Sequence, residues 1–301
     1  MVGPDGTPRV GHDGTPRVGR SGTPRLVMAG IAMGESPRWH DSRLWFSDWG
    51  TGQVIAVDDD GVDEVIASVP SFPLCIDFLP DGRLIVVASE GPRLLRRELD
   101  GSLVSYAELA DIATRPWNDI VIDGRGNAYV NNVNFDFPGG DPVPGLIALA
   151  TPDGQVRQVA DGVMFPNGMS VMPDNATLIV AESYAARLTA FDIADDGSLS
   201  GQRVWADLGD GVPDGICLDA EGAVWYADVP HQRCVRVAEG GKVLQTVDVD
   251  RGCFACTLGG PTGQTLYVTA NEWKGADHMS DGSRTGQVLA IEVTTPATGW
   301  P

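Results

Sequence analysis

The sequence predicts an all-β fold, a six-bladed β-propeller with four-stranded blades. The first observation behind this prediction is a unit that recurs six times after residue 35: an apolar strand, a tight turn built on Asp, Gly or Asn, and a second apolar strand. The second is the spacing of these units, about 45 residues, which is typical of propeller blades. The third is composition, since 38 Gly and 21 Pro in 301 residues favour short elements over long helices.

The repeated strand pair begins at residues 39–48. Its equivalents are found at residues 79–87, 122–130, 172–180, 218–226 and 260–268. A third, alternating strand follows most pairs, and a more polar fourth strand often comes next, as at residues 242–247. Inner strands of a blade pack against neighbouring blades, whereas outermost strands meet water, so this decline in hydrophobicity fits a propeller. A β-sandwich would explain the alternation but not the six recurrences.

The two ends of the chain predict how the ring closes. The last unit supplies strands near residues 256–258, 265–268 and 287–293 but no fourth strand. The apolar segment 26–29 precedes the first unit and has no blade of its own. We expect it to be the missing outer strand, because this pairing removes the open edges of the sheet. The propeller domain is therefore predicted over residues 24–301.

Residues 1–23 are predicted to be a flexible arm. An octapeptide containing Gly-Thr-Pro-Arg is repeated three times from residue 3. Each copy carries one aliphatic residue, too little apolar surface to cover a core. The arm is therefore not expected to be part of the propeller.

The charge of the chain limits its partners. A net charge of −20 repels nucleic acid and anionic membrane surfaces, and it favours cations and neutral small molecules. We expect a small-molecule substrate, no nucleic acid and no membrane. The sequence shows neither a membrane-spanning apolar run nor a secretory leader, so a cytoplasmic location is predicted. The five cysteines are scattered, and Cys253 and Cys256 are interpreted as buried packing residues.

Polar residues recur where several units enter their first strand. They are found in the segments 34–37, 115–119, 165–168 and 212–215. Pro-Asn-Gly and Pro-Asp-Gly are ordinary turn sequences, but their recurrence at one place in the repeat favours a shared site at one mouth of the ring. Glu35, Asn167 and Asp214 would offer two carboxylates and an amide carbonyl around the axis. Such hard oxygen donors suit Ca²⁺ or Mg²⁺ better than a soft metal.

Four segments together resemble one known family. They are Gly-Glu-Ser-Pro-Arg-Trp from residue 34, Trp-Asn-Asp-Ile-Val-Ile-Asp from residue 117, Pro-Asn-Gly-Met from residue 166 and Pro-Asp-Gly-Ile-Cys-Leu-Asp from residue 213. In this order and spacing they resemble the senescence marker protein/gluconolactonase/luciferin-regenerating enzyme family. The resemblance implies a six-bladed propeller that holds one divalent cation in its central tunnel.

The resemblance also implies roles for individual residues. Glu35, Asn167 and Asp214 match the metal ligands of the family, and Asn118 matches a residue that is a further ligand or a substrate contact. Arg115 and Asp136 are the nearest matches to substrate contacts, each displaced from the usual pattern.

The two remaining histidines of interest are judged from their position in the repeat. His278 lies in a long insertion within the sixth unit, where loops of the mouth would fall, and is a candidate substrate contact. His40 is expected in a solvated turn.

The predicted function is opening of a lactone by a cation-dependent hydrolase. The cation would polarise the carbonyl, and Asp214 or another carboxylate at the site would activate water, with Asn118 beside it. Ca²⁺ is the expected ion, and Mg²⁺, Zn²⁺ and Mn²⁺ are alternatives. A phosphotriester or organofluorophosphate hydrolase and a non-catalytic calcium- or ligand-binding propeller remain open. The sequence contains no Gly-x-Ser-x-Gly elbow, P-loop or dinucleotide fingerprint.

Overall fold

The protein is an all-β propeller of six antiparallel four-stranded sheets, as the sequence predicts. The computed structural model describes residues 22–114, 116–279 and 282–299. Nearly all of the predicted arm, and also Arg115, lie outside the described residues. Two short 3₁₀ helices, Ser183–Ala185 and Ala276–His278, interrupt the connections between strands.

The strands are numbered along the chain, starting from β1 (Arg25–Ile31). Blade 1 contains β2 (Gly34–His40), β3 (Arg43–Asp48), β4 (Gln53–Val57) and β5 (Asp63–Ser68). Blade 2 contains β6 (Leu74–Phe78), β7 (Leu84–Ala88), β8 (Arg93–Arg97) and β9 (Leu103–Glu108). Blade 3 contains β10 (Trp117–Ile122), β11 (Ala128–Asn132), β12 (Gly145–Ala150) and β13 (Val156–Val163).

The second half of the ring is built in the same way. Blade 4 contains β14 (Pro166–Val171), β15 (Thr177–Glu182), β16 (Arg187–Ile193) and β17 (Leu199–Asp207). Blade 5 contains β18 (Pro213–Leu218), β19 (Val224–Asp228), β20 (Arg233–Val237) and β21 (Val243–Asp248). Blade 6 contains β22 (Gly252–Gly259), β23 (Thr265–Asn271) and β24 (Gly286–Glu292).

Blade 6 is completed by the first strand of the chain. β1 pairs antiparallel with β24, so that Leu26 lies opposite Leu289. The sequence analysis predicted this closure from the apolar segment 26–29, and the prediction is confirmed. The ring is therefore held by hydrogen bonds between the two ends of the propeller.

Burial follows the position of a strand within its blade. All five residues of β6 and of β7 are buried, whereas β5 has four exposed and two half-buried residues. The apolar side chains of successive blades interdigitate, and this packing between blades forms the core. Inner strands consequently need apolar residues on both faces, and outermost strands tolerate charge.

The six innermost strands surround a central tunnel. β2, β6, β10, β14, β18 and β22 contact one another in turn around the ring, and β22 contacts β2. All six run in the same direction along the axis. We call the end at which they begin the upper end of the tunnel and the end at which they finish the lower end.

Two smaller expectations have different outcomes. Cys253 and Cys256 are buried and unpaired, as predicted. His40 is not in a solvated turn: it ends β2, is half-buried, and its ring stacks on Phe78 of the next blade with centroids 3.8 Å apart.

Among the residues that the structure describes, no helix has the length and apolar character needed to cross a membrane.

Candidate functional site at the upper end of the tunnel

Backbone irregularities place the candidate side chains. The pairing of β10 with β11 shifts register between Trp117 and Ile120, and the pairing of β14 with β15 shifts between Pro166 and Met169. Similar shifts occur at the upper ends of β2, β18 and β22. A bulge of this kind turns side chains out of the regular alternation. The bulges of β2, β10, β14 and β18 hold or border the four predicted cation ligands, which are Glu35, Asn118, Asn167 and Asp214.

Two glycines allow the bulged strands to approach closely. A Cβ atom added at Gly168 would lie 2.5 Å from the amide nitrogen of Ile216, and one added at Gly215 would lie 2.6 Å from Cα of Ala255. Any side chain at these positions would push neighbouring inner strands apart. The glycine that follows Asn167 or Asp214 in sequence is therefore part of what forms the site.

The four predicted cation ligands line one pocket at the upper end of the tunnel. The pocket has a volume of about 310 Å³. Glu35 and Asn118 are buried, and Asn167 and Asp214 are half-buried. Since the four side chains come from four different blades, the sequence brings them together only through closure of the ring.

Burial and neighbouring negative charge oppose the ionisation of both carboxylates. Burial, and then the charges of Asp214 and Asp119, raise the pKa of Glu35 well above its usual value. Removal from solvent and the charge of Asp119 likewise raise the pKa of Asp214, against a hydrogen bond from the Asn167 side chain that lowers it. The site is therefore a concentration of negative charge in a region of low polarity.

Hydrogen bonds fix the two amides. Nδ2 of Asn118 donates to the carbonyl oxygen of Pro166 at 3.1 Å. Oδ1 of the same amide takes no part in this bond. Nδ2 of Asn167 donates to Oγ of Ser183 at 3.3 Å, and that hydroxyl donates in turn to the carbonyl oxygen of Pro213 at 2.7 Å. The Asn118–Pro166 and Ser183–Pro213 bonds each join one blade to the next, whereas Asn167 and Ser183 belong to the same blade. The Asn118 amide is thus oriented directly by the neighbouring blade, and the Asn167 amide is oriented through Ser183.

Asp119 is a site residue to which the sequence analysis gave no role. Its Oδ1 accepts a hydrogen bond from Oγ of Ser36 at 3.3 Å, and its Oδ2 accepts one from the amide of Met169 at 3.1 Å. The carboxylate thus links the bulges that carry Glu35 and Asn167. Burial is the main cause that raises the pKa of Asp119 to about 6. The signal in the sequence is its position directly after Asn118 in the same motif.

A buried ion pair lies deeper in the tunnel. Nε of Arg38 donates to Oδ1 of Asp77 at 3.1 Å, and Nη2 of Arg38 donates to the carbonyl oxygen of Ile120 at 2.8 Å. The guanidinium charge lowers the pKa of Asp119 and, to a smaller extent, that of Glu35, but it does not offset the effect of burial on either group. The positive charge of Arg38 therefore does not balance the effect of burial on the carboxylates above the ion pair.

The donor set fits a divalent cation that prefers oxygen. The described residues contain no group of three His, Cys, Asp or Glu side chains that could hold a metal ion. The predicted set is of another kind, with two carboxylates and two amides. A divalent cation would favour the ionised forms of Glu35 and Asp214, whose pKa values are raised by burial and then by neighbouring negative charge. Hard oxygen ligands suit Ca²⁺ or Mg²⁺.

Of the other predicted substrate contacts, Asp136 and His278 are not part of the lining of the main pocket. Asp136 is exposed and does not line the pocket, whereas its neighbour Phe137 does. His278 is exposed beside a smaller cavity, while Met279 lines the main pocket. Arg115 lies outside the described residues. Roles for these three residues in substrate binding stay predictions.

Much of the pocket wall was missed by the sequence analysis. It is rich in aromatic rings, which come from several blades, mostly from the connections between strands and in one case, Phe254, from strand β22. These residues are Trp49, Phe72, Phe137, Phe165, Tyr184, Phe254 and Trp273. The sequence carries no local signal for them, because an aromatic residue in a propeller loop is as often a packing residue. Only the folded ring shows that they face one cavity.

Comparison with known proteins gives a consistent result. The model of the SMP-30/Gluconolactonase/LRE-like region matches residues 33–272. A pentonolactonase of Haloferax volcanii is 27% identical over 280 residues, covering 89% of this chain and 93% of that relative. A regucalcin of Danio rerio is 29% identical over 246 residues, covering 79% of this chain and 82% of that relative.

A solved structure shares the fold. The calcium-binding protein regucalcin of Agrobacterium tumefaciens superimposes with a TM-score of 0.78 at 20% identity, and the match covers 93% of this chain and 97% of that one.

Proposed function

Because the chain belongs to the SMP-30/gluconolactonase/LRE-like family, whose model matches residues 33–272, we propose that it hydrolyses a lactone with the help of a divalent cation. The observation that carries the proposal is the meeting of two carboxylates and two amides, from four blades, on one pocket. The relative named as a pentonolactonase supports ring opening as the reaction. Phosphotriester hydrolysis has no comparable support among these observations.

Glu35, Asn118, Asn167 and Asp214 are assigned to hold the cation. Oδ1 of Asn118 is suited to this role, because Nδ2 of the same amide is engaged with Pro166. When bound, a divalent cation supplies Lewis-acid polarisation of a carbonyl and stabilises the negative charge that develops on its oxygen. Ca²⁺ is the proposed ion, since it accepts mixed carboxylate and amide ligands in irregular geometry.

Asp214 is assigned as the proton acceptor. It is half-buried on the pocket, whereas Glu35, on the same pocket, is buried. A carboxylate oxygen of Asp214 takes a proton from water as the water oxygen bonds to the lactone carbonyl carbon. When the bond between that carbon and the ring oxygen breaks, the proton is returned to the ring oxygen, which gives the hydroxy acid. The side-chain N–H of Asn118 that is not bonded to Pro166 is assigned to donate to the lactone carbonyl oxygen and so to position it.

The test is a lactone panel assayed with metal-stripped protein and with protein reconstituted with Ca²⁺, Mg²⁺, Zn²⁺ or Mn²⁺. We expect hydrolysis that is lost on stripping and returns with cation. Cation binding measured by calorimetry without turnover of any lactone would instead support a binding protein. Turnover unaffected by stripping would contradict the assigned role of the four residues.

A further inference from the structure

The walls of the upper pocket include three pairs of aromatic rings. Phe165 stacks on Tyr184 with centroids 4.5 Å apart. Trp49 meets Phe72 edge to face at 5.3 Å. Phe254 and Trp273 meet edge to face at 5.7 Å on another side. These contacts hold the rings in place, so the apolar surface is formed before any ligand arrives.

Polar side-chain groups on this pocket are few. Apart from the four proposed cation ligands, the polar groups of the described lining side chains are the hydroxyls of Ser183 and Tyr184 and the indole N–H groups of Trp49 and Trp273. Nε1 of Trp49 is buried without a hydrogen-bond partner among the residues that the structure describes. The Ser183 hydroxyl donates to the carbonyl oxygen of Pro213 and accepts from Asn167. Tyr184 presents its ring in the stack with Phe165. The described lining includes no Lys, Arg or His.

The segment after β11 also presents an aromatic side chain to the pocket. At the place where an acidic substrate contact was expected, Asp136 is exposed away from the lining, and Phe137 faces the pocket. Phe137 packs edge to face against Phe165 at 4.9 Å, and Phe135 packs behind both rings. An aromatic ring therefore lines the pocket where an acidic, hydrogen-bonding side chain was expected.

A polyhydroxylated lactone would bind poorly between such walls. Each hydroxyl that leaves water needs a new hydrogen-bond partner, and an unpartnered hydroxyl in an apolar site is strongly disfavoured. An alkyl or aryl substituent gains from the same transfer, because it removes apolar surface from water and packs against the rings. The pocket volume of about 310 Å³ is large enough for a substituent beyond the lactone ring.

We propose that the substrate of this site is a lactone with an apolar alkyl or aryl substituent, and not a sugar lactone. The inference rests on the proposed lactone hydrolysis and adds the substrate class. The proposed cation ligands at the floor hold the carbonyl end, and the aromatic rings receive the apolar end.

The test compares lactones with the same six-membered ring. The pair is glucono-1,5-lactone and δ-decalactone, with dihydrocoumarin as an aryl example, assayed by acid release with spontaneous hydrolysis subtracted. We expect kcat/KM for the two apolar lactones to exceed that for gluconolactone by at least about 100-fold. Equal or higher kcat/KM for gluconolactone would overturn this inference while leaving lactone hydrolysis standing. Failure to hydrolyse any of the three, with cation supplied, would overturn both.

Variants connect the preference to the wall. Trp273→Ala should lower kcat/KM for δ-decalactone by about tenfold and change that for gluconolactone by less than about twofold. Val243→Ala, on the exposed outer strand β21, is the matched control and should change neither. Equal losses for both substrates would contradict a role of the wall in selection.

A second variant is used in case Trp273→Ala lowers Tm. Val212 lines the pocket, and Val212→Thr keeps the side-chain shape while adding a hydroxyl to the wall. We expect kcat/KM for δ-decalactone to fall about threefold and that for gluconolactone to stay or rise. Val243→Thr is the control outside the pocket. A fall confined to gluconolactone would overturn the inference.

Discussion

The two ends of the central tunnel are formed by the same six strands but differ in chemistry. The lower end also opens into a pocket, of about 390 Å³, lined by aromatic, thiol and hydroxyl side chains such as Phe78, Cys217 and Thr257. No Asp or Glu is found among the described residues that line it. The upper pocket, of about 310 Å³, contains Glu35 and Asp214. Closure of the ring thus creates a cavity at both ends, and it does not by itself create a charged site.

The difference comes from the backbone at the start of the inner strands. Towards the lower end, β2 and β3 pair regularly from Arg38 to His40, whereas the register is shifted near Glu35. β6 pairs with β7 regularly along its whole length, and it supplies none of the proposed cation ligands. The comparison indicates that bulges convert one tunnel end into a candidate active site.

The largest effect is expected from removing one carboxylate at the upper end. Asp214→Asn and Glu35→Gln keep the shape of the side chain but remove a unit charge that would hold the cation. We expect cation affinity to fall and turnover to fall by at least about 100-fold, with little loss of Tm. Calorimetry and lactone hydrolysis on the same preparations measure both. Wild-type cation affinity in both variants would show that these residues do not hold the ion.

A glycine substitution tests whether the bulges form the site. Gly215→Ala places a Cβ atom 2.6 Å from Cα of Ala255, so the free energy of unfolding should fall by about 3 kcal/mol. Gly222→Ala, in the turn at the lower end of β18, meets no atom within 4 Å, and only its φ of +74° opposes it, at about 1 kcal/mol. Urea unfolding of the two variants gives the difference. Equal costs would mean that close packing at the bulge is unimportant.

The pH dependence of stability should also distinguish the ends. The pKa of Asp119 is raised to about 6 in the folded protein, against 3.8 as the ordinary value. A carboxyl group whose pKa is higher in the folded protein than in the unfolded chain favours the folded state most at pH values below the unfolded pKa. This contribution to stability is lost as the pH rises through the folded pKa. From below about pH 4 to above about pH 6 the metal-free protein should therefore lose about 3 kcal/mol from this group, of which about 2 kcal/mol is lost between pH 4 and pH 6. Glu35 and Asp214 shift in the same direction.

Urea unfolding in the presence of a chelator, for the wild type and Asp119→Asn, isolates this contribution. The unfolding free energy of the wild type minus that of Asp119→Asn should decline as the pH rises from about 4 to about 6. Thr257→Val, at the lower end, should leave the pH profile of the wild type unchanged. A difference that grows with pH would show that the Asp119 carboxylate is ionised and favourably paired.

A smaller effect is expected from a neutral ligand. Asn167→Ala removes an amide oxygen that water can replace, so cation affinity should weaken by about tenfold, less than in the carboxylate variants. Asn175→Ala, in the turn between β14 and β15, is a matched control outside the pocket. Calorimetry at fixed pH compares the two. A loss as large as that of Asp214→Asn would assign Asn167 more than the role of a neutral ligand.

The smallest effect is expected at the lower end. Thr257→Val changes a buried side chain that lines the lower pocket without altering its shape or charge. Cation affinity and kcat/KM should remain within about twofold of the wild type. A marked loss of activity would place chemistry at the end of the tunnel that we regard as structural.

The fold was predictable from the sequence because its signals are local and repeated. Each strand pair has its own turn, and the missing fourth strand of blade 6 indicated the pairing of β1 with β24. His40 was placed wrongly because its environment is not local, since the stacking ring of Phe78 belongs to another blade.

The site was predictable only in part, for a related physical reason. Glu35, Asn167 and Asp214 occupy equivalent positions at the start of inner strands, so the repeat alone brings them to one end of the tunnel. The role of Asp119 depends on hydrogen bonds to Ser36 and Met169 in other blades. The aromatic walls depend on loop conformations that no repeat specifies.

The closure of blade 6 by β1 has a consequence for synthesis of the chain. β1 leaves the ribosome first among the strands, but its partner β24 follows about 260 residues later. At about 5–20 residues per second, the nascent chain carries an unpaired strand for about 10–50 s. Each of blades 1 to 5 receives its four strands within this interval, whereas blade 6 remains incomplete until β24 is made. The ring, and with it the alignment of side chains from four blades, is completed only after β24 has been translated.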